Sequence, residues 1–435
     1  MRFGRAACIA AASVCIASGA FAQPKVKPSA SLSAETVAAR QKIFGVENVD
    51  AKTGATPKDQ VVMSWLTNTT FAVSLLGRVV LLDSYVTRLE VKPGRTPFVI
   101  KDMVDLMPEA IMVGHGHFDH SDNAAYIAKK TGATIYASPE TCDSMQATVT
   151  RMYNDPTGVV GGGKIIDDDH PVNCVPVVSR ASAPGSEVAK LDFLEPLTCV
   201  IAFKHMHSAS VPFDTTWGPA MPFTPNVTRD TRDAQMYPAG SPLTPPSNVA
   251  NRVPGQMDIR SATAGDLGIG GPISILYQFV VRRGPNYFTL LWHNTSGPLK
   301  EGIAPDGNWG PAIGTQVFDL FDRIPRTDVQ IGSVSTAGLL TNGMRDVMMY
   351  SQHLQPKVFF PGHMTTGTNG VGESSSPEMY WTFKQQKAFM GINDGPEVRW
   401  LNDPIDYLRP FVFDPNDARW ADPKKDPGVA EFCGK

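Results

Sequence analysis

Four side chains able to bind a metal ion fall within six consecutive residues, His115-Gly116-His117-Phe118-Asp119-His120. The segment follows the apolar run Leu106–Val113 and leads into a polar stretch. There Ser121 is suited to cap a helix through Lys130, and Gly132 to close it. In an extended segment, side chains two apart point the same way, so His115 and His117 can share one ion. Asp119 and His120 lie where the chain turns into the helix and can serve a neighbouring position. Imidazole combined with carboxylate suits zinc, and also iron or manganese. Gly114 and Gly116 let the backbone turn tightly. The chain has nine histidines in 435 residues, so such a cluster is not expected by chance.

Further donors are expected where later strands end. Val200–Phe203 leads into Lys204-His205-Met206-His207-Ser208, Tyr287–Trp292 into His293-Asn294-Thr295, and Val358–Phe360 into Pro361-Gly362-His363. Each reads as an apolar strand followed by a polar loop with histidine near its start. α/β folds gather their sites at such strand ends. Asp83 closes the apolar run Val79–Leu82 and reads as a group that orients a ligand histidine, or as a turn-initiating aspartate. His170 and His353 have no supporting neighbours and are read as structural.

The elements that must position these groups come in two halves. Val61–Trp65, Phe71–Leu75 and Val79–Leu82 form an antiparallel meander, with turns at Asn68-Thr69-Thr70 and Gly77. A βα pattern follows, with a strand at Ala133–Ala137 and a Gly-Gly-Gly interruption at 161–163. Residues 211–270 are rich in proline and poor in periodicity, which marks a lid or binding loop whose Phe213, Trp217, Phe223 and Tyr237 could line a pocket, or a loop packed for stability. Strands return at Ile273–Val281 and Tyr287–Trp292. A helix near Gln316–Arg323, a strand at Asp328–Val334, a helix at Met344–Leu354 and a strand at Lys357–Phe360 follow. A helix at Pro377–Met390 and an apolar run at Leu408–Phe413 close the pattern. Two halves, each running from strands into βα units, imply a four-layered α/β/β/α arrangement.

Composition narrows the function classes. Hydrophobic residues make up 42% and charged residues 19%, so a packed core is expected rather than disorder. The formal net charge of −3 provides no basic excess to neutralise phosphates, which argues against nucleic acid as the main partner. Arg2 and Arg5, the apolar Ala6–Ala17 and Ala20-Phe21-Ala22 read as a signal peptide over 1–22. That places the mature protein in the periplasm or outside the cell, with no transmembrane segment after signal removal. Residues 23–58 read as a leader with a short helix around Ser33–Phe44, 59–370 as the main domain and 371–435 as a C-terminal extension packed on it. Cys8 and Cys15 leave with the signal. Cys142, Cys174, Cys199 and Cys433 permit two disulfides in any of three pairings, or four buried thiols.

The residues resemble the metallo-β-lactamase-fold hydrolases. His115-Gly116-His117-Phe118-Asp119-His120 matches that family's hallmark motif residue for residue. Ser64-Trp65-Leu66-Thr67-Asn68 and Leu81-Leu82-Asp83 are similar to the opening hairpin of the branch that includes ascorbate-phosphate lactonases. Pro361-Gly362-His363 resembles the family's last metal histidine. The resemblance covers roughly Val61–Gly370 outside the proline-rich insertion, and implies a four-layered αβ/βα sandwich. It implies one metal held by His115, His117 and either His205 or His207. Ser208, small and polar, favours His207 and leaves His205 to support a ligand or to pack. It implies a second metal on Asp119, His120 and His363, with Asp119 also orienting the nucleophile. The chain departs from the family at His293-Asn294-Thr295, where many members carry a bridging aspartate. Asn294 is a poor bridging anion, which leaves two zinc ions, or one tight ion with one weak or empty site. His293 then reads as a substitute ligand, a hydrogen-bond donor or a packed strand-end residue.

The chemistry implied is hydrolysis by a metal-bound hydroxide, with the water's pKa lowered to roughly 7, on an ester, lactone or phosphodiester. Export keeps β-lactams as an alternative substrate. No H-E-x-x-H or G-x-S-x-G motif points elsewhere. Two rivals are an iron-dependent oxidoreductase on the same fold and a non-catalytic metal-binding protein.

Overall fold

The computed structural model describes residues 32–85, 98–154, 165–180, 182–209, 271–283, 286–304, 307–334, 344–363, 377–401 and 405–434. The segment read as a signal peptide, the glycine run at 161–163 and the proline-rich segment with its four aromatics lie outside the described residues. No helix among the described residues is long and apolar enough to cross a membrane.

The first half begins with the helix Ala34–Phe44, which Ser33 caps by accepting from the Thr36 amide at 3.2 Å. Strands β1 (Val61–Thr67), β2 (Thr70–Leu75) and β3 (Arg78–Leu82) form the antiparallel meander expected from their apolar runs. Strands β4 (Ala110–Met112), β5 (Thr134–Ala137) and β6 (Cys174–Pro176) then add in parallel. The run read as one strand over Leu106–Val113 is shorter in the structure. Leu106 ends a helix over Ile100–Asp105, Met107 has a φ of 52° and Pro108 offers no amide to a ladder, so pairing starts at Ala110.

The second half carries β7 (Val188–Leu191), β8 (Thr198–Lys204), β9 (Ile275–Arg282) and β10 (Tyr287–His293). A two-residue hairpin of β11 (Ile303–Ala304) and β12 (Gly307–Asn308) stands apart. Strands β13 (Val329–Ser333) and β14 (Val358–Gly362) run parallel to β10. The segment read as an extension is woven into both sheets. Strand β15 (Glu397–Val398) pairs with β14, and β16 (Pro410–Phe413) pairs with β1. The sheet orders are β16-β1-β2-β3-β4-β5-β6 and β15-β14-β13-β10-β9-β8-β7.

Alternation along the strands produces the layers. On β9, Ile275, Tyr277, Phe279 and Val281 join the core shared with the first sheet, alongside Phe288, Leu290 and Trp292 of β10. Leu276, Val280 and Leu291 face the other way and pack with Val317, Leu320 and Phe321 of the helix Pro311–Arg323. Met145 and Val149 of the helix Pro139–Asn154 and Ile127 of the helix Ala124–Thr131 pack with the first sheet. The result is a four-layered α/β/β/α sandwich. Two disulfides tie it, Cys142–Cys174 and Cys199–Cys433, which selects one of the three pairings.

Candidate metal centre

The strand ends on one rim of the sandwich carry the chemistry. His115 to His120 follow β4, His207 follows β8, and His363 follows β14. The loop of the motif is fixed from both sheets. The Ile275 amide donates to the Gly114 carbonyl at 2.7 Å and the Gly116 amide to the Gly271 carbonyl at 3.1 Å. The Tyr277 hydroxyl reaches the carbonyls of Val113 and Tyr136. Ser121 does not cap the next helix. Its hydroxyl turns back onto the carbonyls of Gly116 and His117, and Asn123, at a φ of 75°, starts the helix instead.

Two sets of three donors result. His115, His117 and His207 form one, and Asp119, His120 and His363 the other, with the donor atoms of each set within 4.8 Å of one another. In the first set, His115 Nε2 lies 3.1 Å from His117 Nδ1 and 3.2 Å from His207 Nε2. In the second, His120 Nε2 lies 3.2 Å from His363 Nε2, and both lie 3.4 Å from Asp119 Oδ2. The rings of His115 and His120, 4.1 Å apart between centroids, place the sets side by side.

The residues behind the imidazoles decide which nitrogens face inward. His120 Nδ1 donates to Asp83 Oδ2 at 2.7 Å, His115 Nδ1 to Asn294 Oδ1 at 2.9 Å, and His207 Nδ1 to the Ser208 carbonyl at 2.6 Å. With the proton on Nδ1, each presents a bare Nε2 to the centre. Burial, followed by the neighbouring histidines, pushes the His115 imidazole well below its ordinary value. Burial likewise takes His117 down to about 4 and His207 to about 3, so all three are neutral near pH 7. For His120, burial works against the charge, but Asp119 and Asp83 outweigh it and raise the value. Burial alone would raise the Asp119 carboxyl, yet His120 and His363 hold it below the usual carboxylate range.

Such a donor set fits a cation. His115 Nε2 and His207 Nε2, 3.2 Å apart, both lack a proton when their Nδ1 atoms donate outward, and two such nitrogens repel unless a positive ion sits between them. Two nitrogens each about 2.0–2.1 Å from a tetrahedral ion stand about 3.3 Å apart, close to the separations here. His117 Nε2 is also buried without a hydrogen-bond partner, so that ring is held by its Nδ1 side.

Asp83 is where the supports converge. Its carboxylate accepts from His120, from the Thr69 hydroxyl at 2.9 Å, from the Gly114 amide at 3.1 Å and from Asn294 Nδ2 at 3.0 Å. Asn294 therefore stands behind His115, not among the inward-facing donors, and relays the Asp83 carboxylate to it. A Cβ on Gly114 would come within 2.3 Å of the Asn294 carboxamide, so this packing requires glycine. His205 stays on the helix side of the second sheet, with Nδ1 3.1 Å from the Tyr350 hydroxyl, away from both sets. His293 is buried beside it, donating to the Thr295 carbonyl and accepting from Gln330. His353 stacks on Phe318 and contacts Asp322, and His170 is exposed beside Asp168. Asn68, read in the sequence as part of a turn and of the opening hairpin but not as a site residue, reaches the site through Asp119.

No family model matches the chain. Over 73 residues it is 37% identical to a UPF0173 metal-dependent hydrolase of Methanopyrus kandleri, a stretch that covers 17% of this chain and 29% of that protein. Igni18, described as a metallo hydrolase from Ignicoccus hospitalis, superposes with a TM-score of 0.43 at 13% identity, over 81% of this chain and 98% of that one. CmlA, described as a diiron β-hydroxylase from Streptomyces venezuelae, superposes with a TM-score of 0.39 at 13% identity, over 82% and 55%. Two facing seven-stranded sheets hold the two donor sets of an H-x-H-x-D-H motif on one rim. The chain has the metallo-β-lactamase fold. Within this fold, the motif supplies four of the six donors and the later strand ends supply His207 and His363.

Proposed function

We propose that this metallo-β-lactamase-fold protein is an exported metal-dependent hydrolase of a small ester, lactone or phosphodiester. The observation that carries the reading is the adjacency of two donor sets on one rim. Metal ions bound there would supply a water activated near neutral pH and a positive charge facing the electrophilic centre. His115, His117 and His207 would hold one ion, and Asp119, His120 and His363 the other. Asp83 and Asn294 keep the protons of His120 and His115 on the side away from the ions. The ionised Asp119, about a fifth exposed, can accept a hydrogen bond from the attacking water and orient it. The two disulfides support an oxidising compartment and with it export.

Elemental analysis of protein purified from a periplasmic fraction should give close to two zinc ions per chain. A panel of lactones, esters, phosphodiesters and β-lactams should then show turnover that His117→Ala abolishes together with tight metal binding. A single iron with oxygen consumption would replace the reading with an oxidoreductase. A full metal load that hydrolyses nothing in the panel would leave a metal-binding protein.

A further inference from the structure

Asn68 lies on the turn between β1 and β2, buried, with a φ of 49°. Its Nδ2 donates to the Asp119 main-chain carbonyl at 2.7 Å and to Asp119 Oδ2 at 3.2 Å. Its own carbonyl accepts from the His363 amide at 3.2 Å and from Trp65 Nε1 at 3.2 Å. One residue thus grips two of the three donors of the second set, the carboxylate through its side chain and the histidine through its backbone. The supports of the first set run elsewhere, through Asn294 and the Ser208 carbonyl. Left-handed backbone suits asparagine better than most side chains, and His363 shares it with a φ of 65°.

We propose that Asn68 is a positioning residue that builds the second metal position and leaves the first untouched. The Asp119 carboxylate has two oxygens and several rotamers. The amide of Asn68 fixes it so that Oδ2 faces His120 and His363. Without that donor, Asp119 can swing away from the two imidazoles, and the second set loses its only anion. The inference rests on the metal-site reading but not on hydrolysis. Protein that binds two ions yet cleaves no substrate would end the hydrolase proposal and leave this one standing.

The test is zinc titration of metal-free full-length protein by calorimetry in two backgrounds. In His207→Ala, only the Asp119 set is complete; in His363→Ala, only the His115 set is. Asn68→Gly keeps the left-handed backbone and removes the side chain, so folding, checked by circular dichroism, is preserved better than with alanine. Added to His207→Ala, Asn68→Gly should weaken zinc binding by roughly 10–100-fold, the range seen when a support of a metal ligand is removed. Added to His363→Ala, it should change binding by less than about twofold. Asn68→Asp, which sets a second carboxylate against Asp119, should not restore the amide's effect. Equal losses in both backgrounds, no loss in either, or a wild-type protein that takes up only one ion would each overturn the proposal.

Discussion

At the scale of single residues, the site depends on what is missing as much as on what is present. Gly114 has no side chain because the Asn294 carboxamide fills that space. Gly114→Ala must displace Asn294, breaking its bonds to His115 and to Asp83. The expected result is metal affinity lower by roughly 10–100-fold and stability lower by about 1–3 kcal/mol from overpacking, read by zinc titration and urea unfolding. His353→Ala should leave metal content and turnover nearly unchanged, since its partners are Asp322 and Phe318. The six donors were legible because four fall within six consecutive residues and the other two follow apolar strands. The choice of His207 over His205 was not settled by alternation, because residues two apart share a face. It depends on the chain leaving the strand after His205, whose amide still pairs with the Ser274 carbonyl. The true place of Asn294 was hidden, because its partner Asp83 lies far away in the chain and only folding brings them together.

At the scale of elements, what could be read tracked how strongly each run repeats. The meander and β8 to β10 have long apolar stretches and fell close to where expected, whereas the helix read near Gln316–Arg323 starts earlier, at Pro311. The edge strands were legible only in part, since β16 lies inside the apolar run Leu408–Phe413 whereas β15 carries no signal. Strand β15 has two residues, and in β16 Phe413 is buried, Pro410 and Phe411 are half-buried and Val412 is exposed. Yet the C-terminal segment is anchored firmly. Trp420 is fully buried among Phe288 and Phe413. Lys425 Nζ reaches the buried Asp328 carboxylate at 2.5 Å. Lys190 and Arg282 both donate to the Cys433 carbonyl, beside the bond that joins Cys433 to Cys199. Cys433→Ser, compared with the wild type under non-reducing conditions, should lower unfolding free energy by about 2–4 kcal/mol. Metal stoichiometry should not change, and a lost ion would show that the C-terminal anchor reaches the metal rim.

At the scale of the whole molecule, acid should unfold the metal-free protein from inside the second sheet as well as at the metal rim. His205 and His293 are buried and held below their ordinary value by burial, His293 to about 4. Their folded values lie below the unfolded one of about 6.5, so the unfolded chain carries more protons between the two. Stability from these groups is therefore full above about pH 6.5 and falls as pH drops below it, the His293 contribution levelling off below about 4. His293 alone accounts for about 3 kcal/mol across that window. Urea unfolding at several pH values should show the slope, and His293→Gln should make it shallower by one proton. A different consequence follows from the pairing of β16 with β1. Val61 meets Phe413 across the outer edge of the first sheet, so β1 finds its outer neighbour only in a strand made more than three hundred residues later. Until then β1 presents an open row of amides and carbonyls beside apolar side chains, a template for pairing with another chain. A chain in that state would need a holding chaperone, and β16 serves as the guard that finally covers the edge.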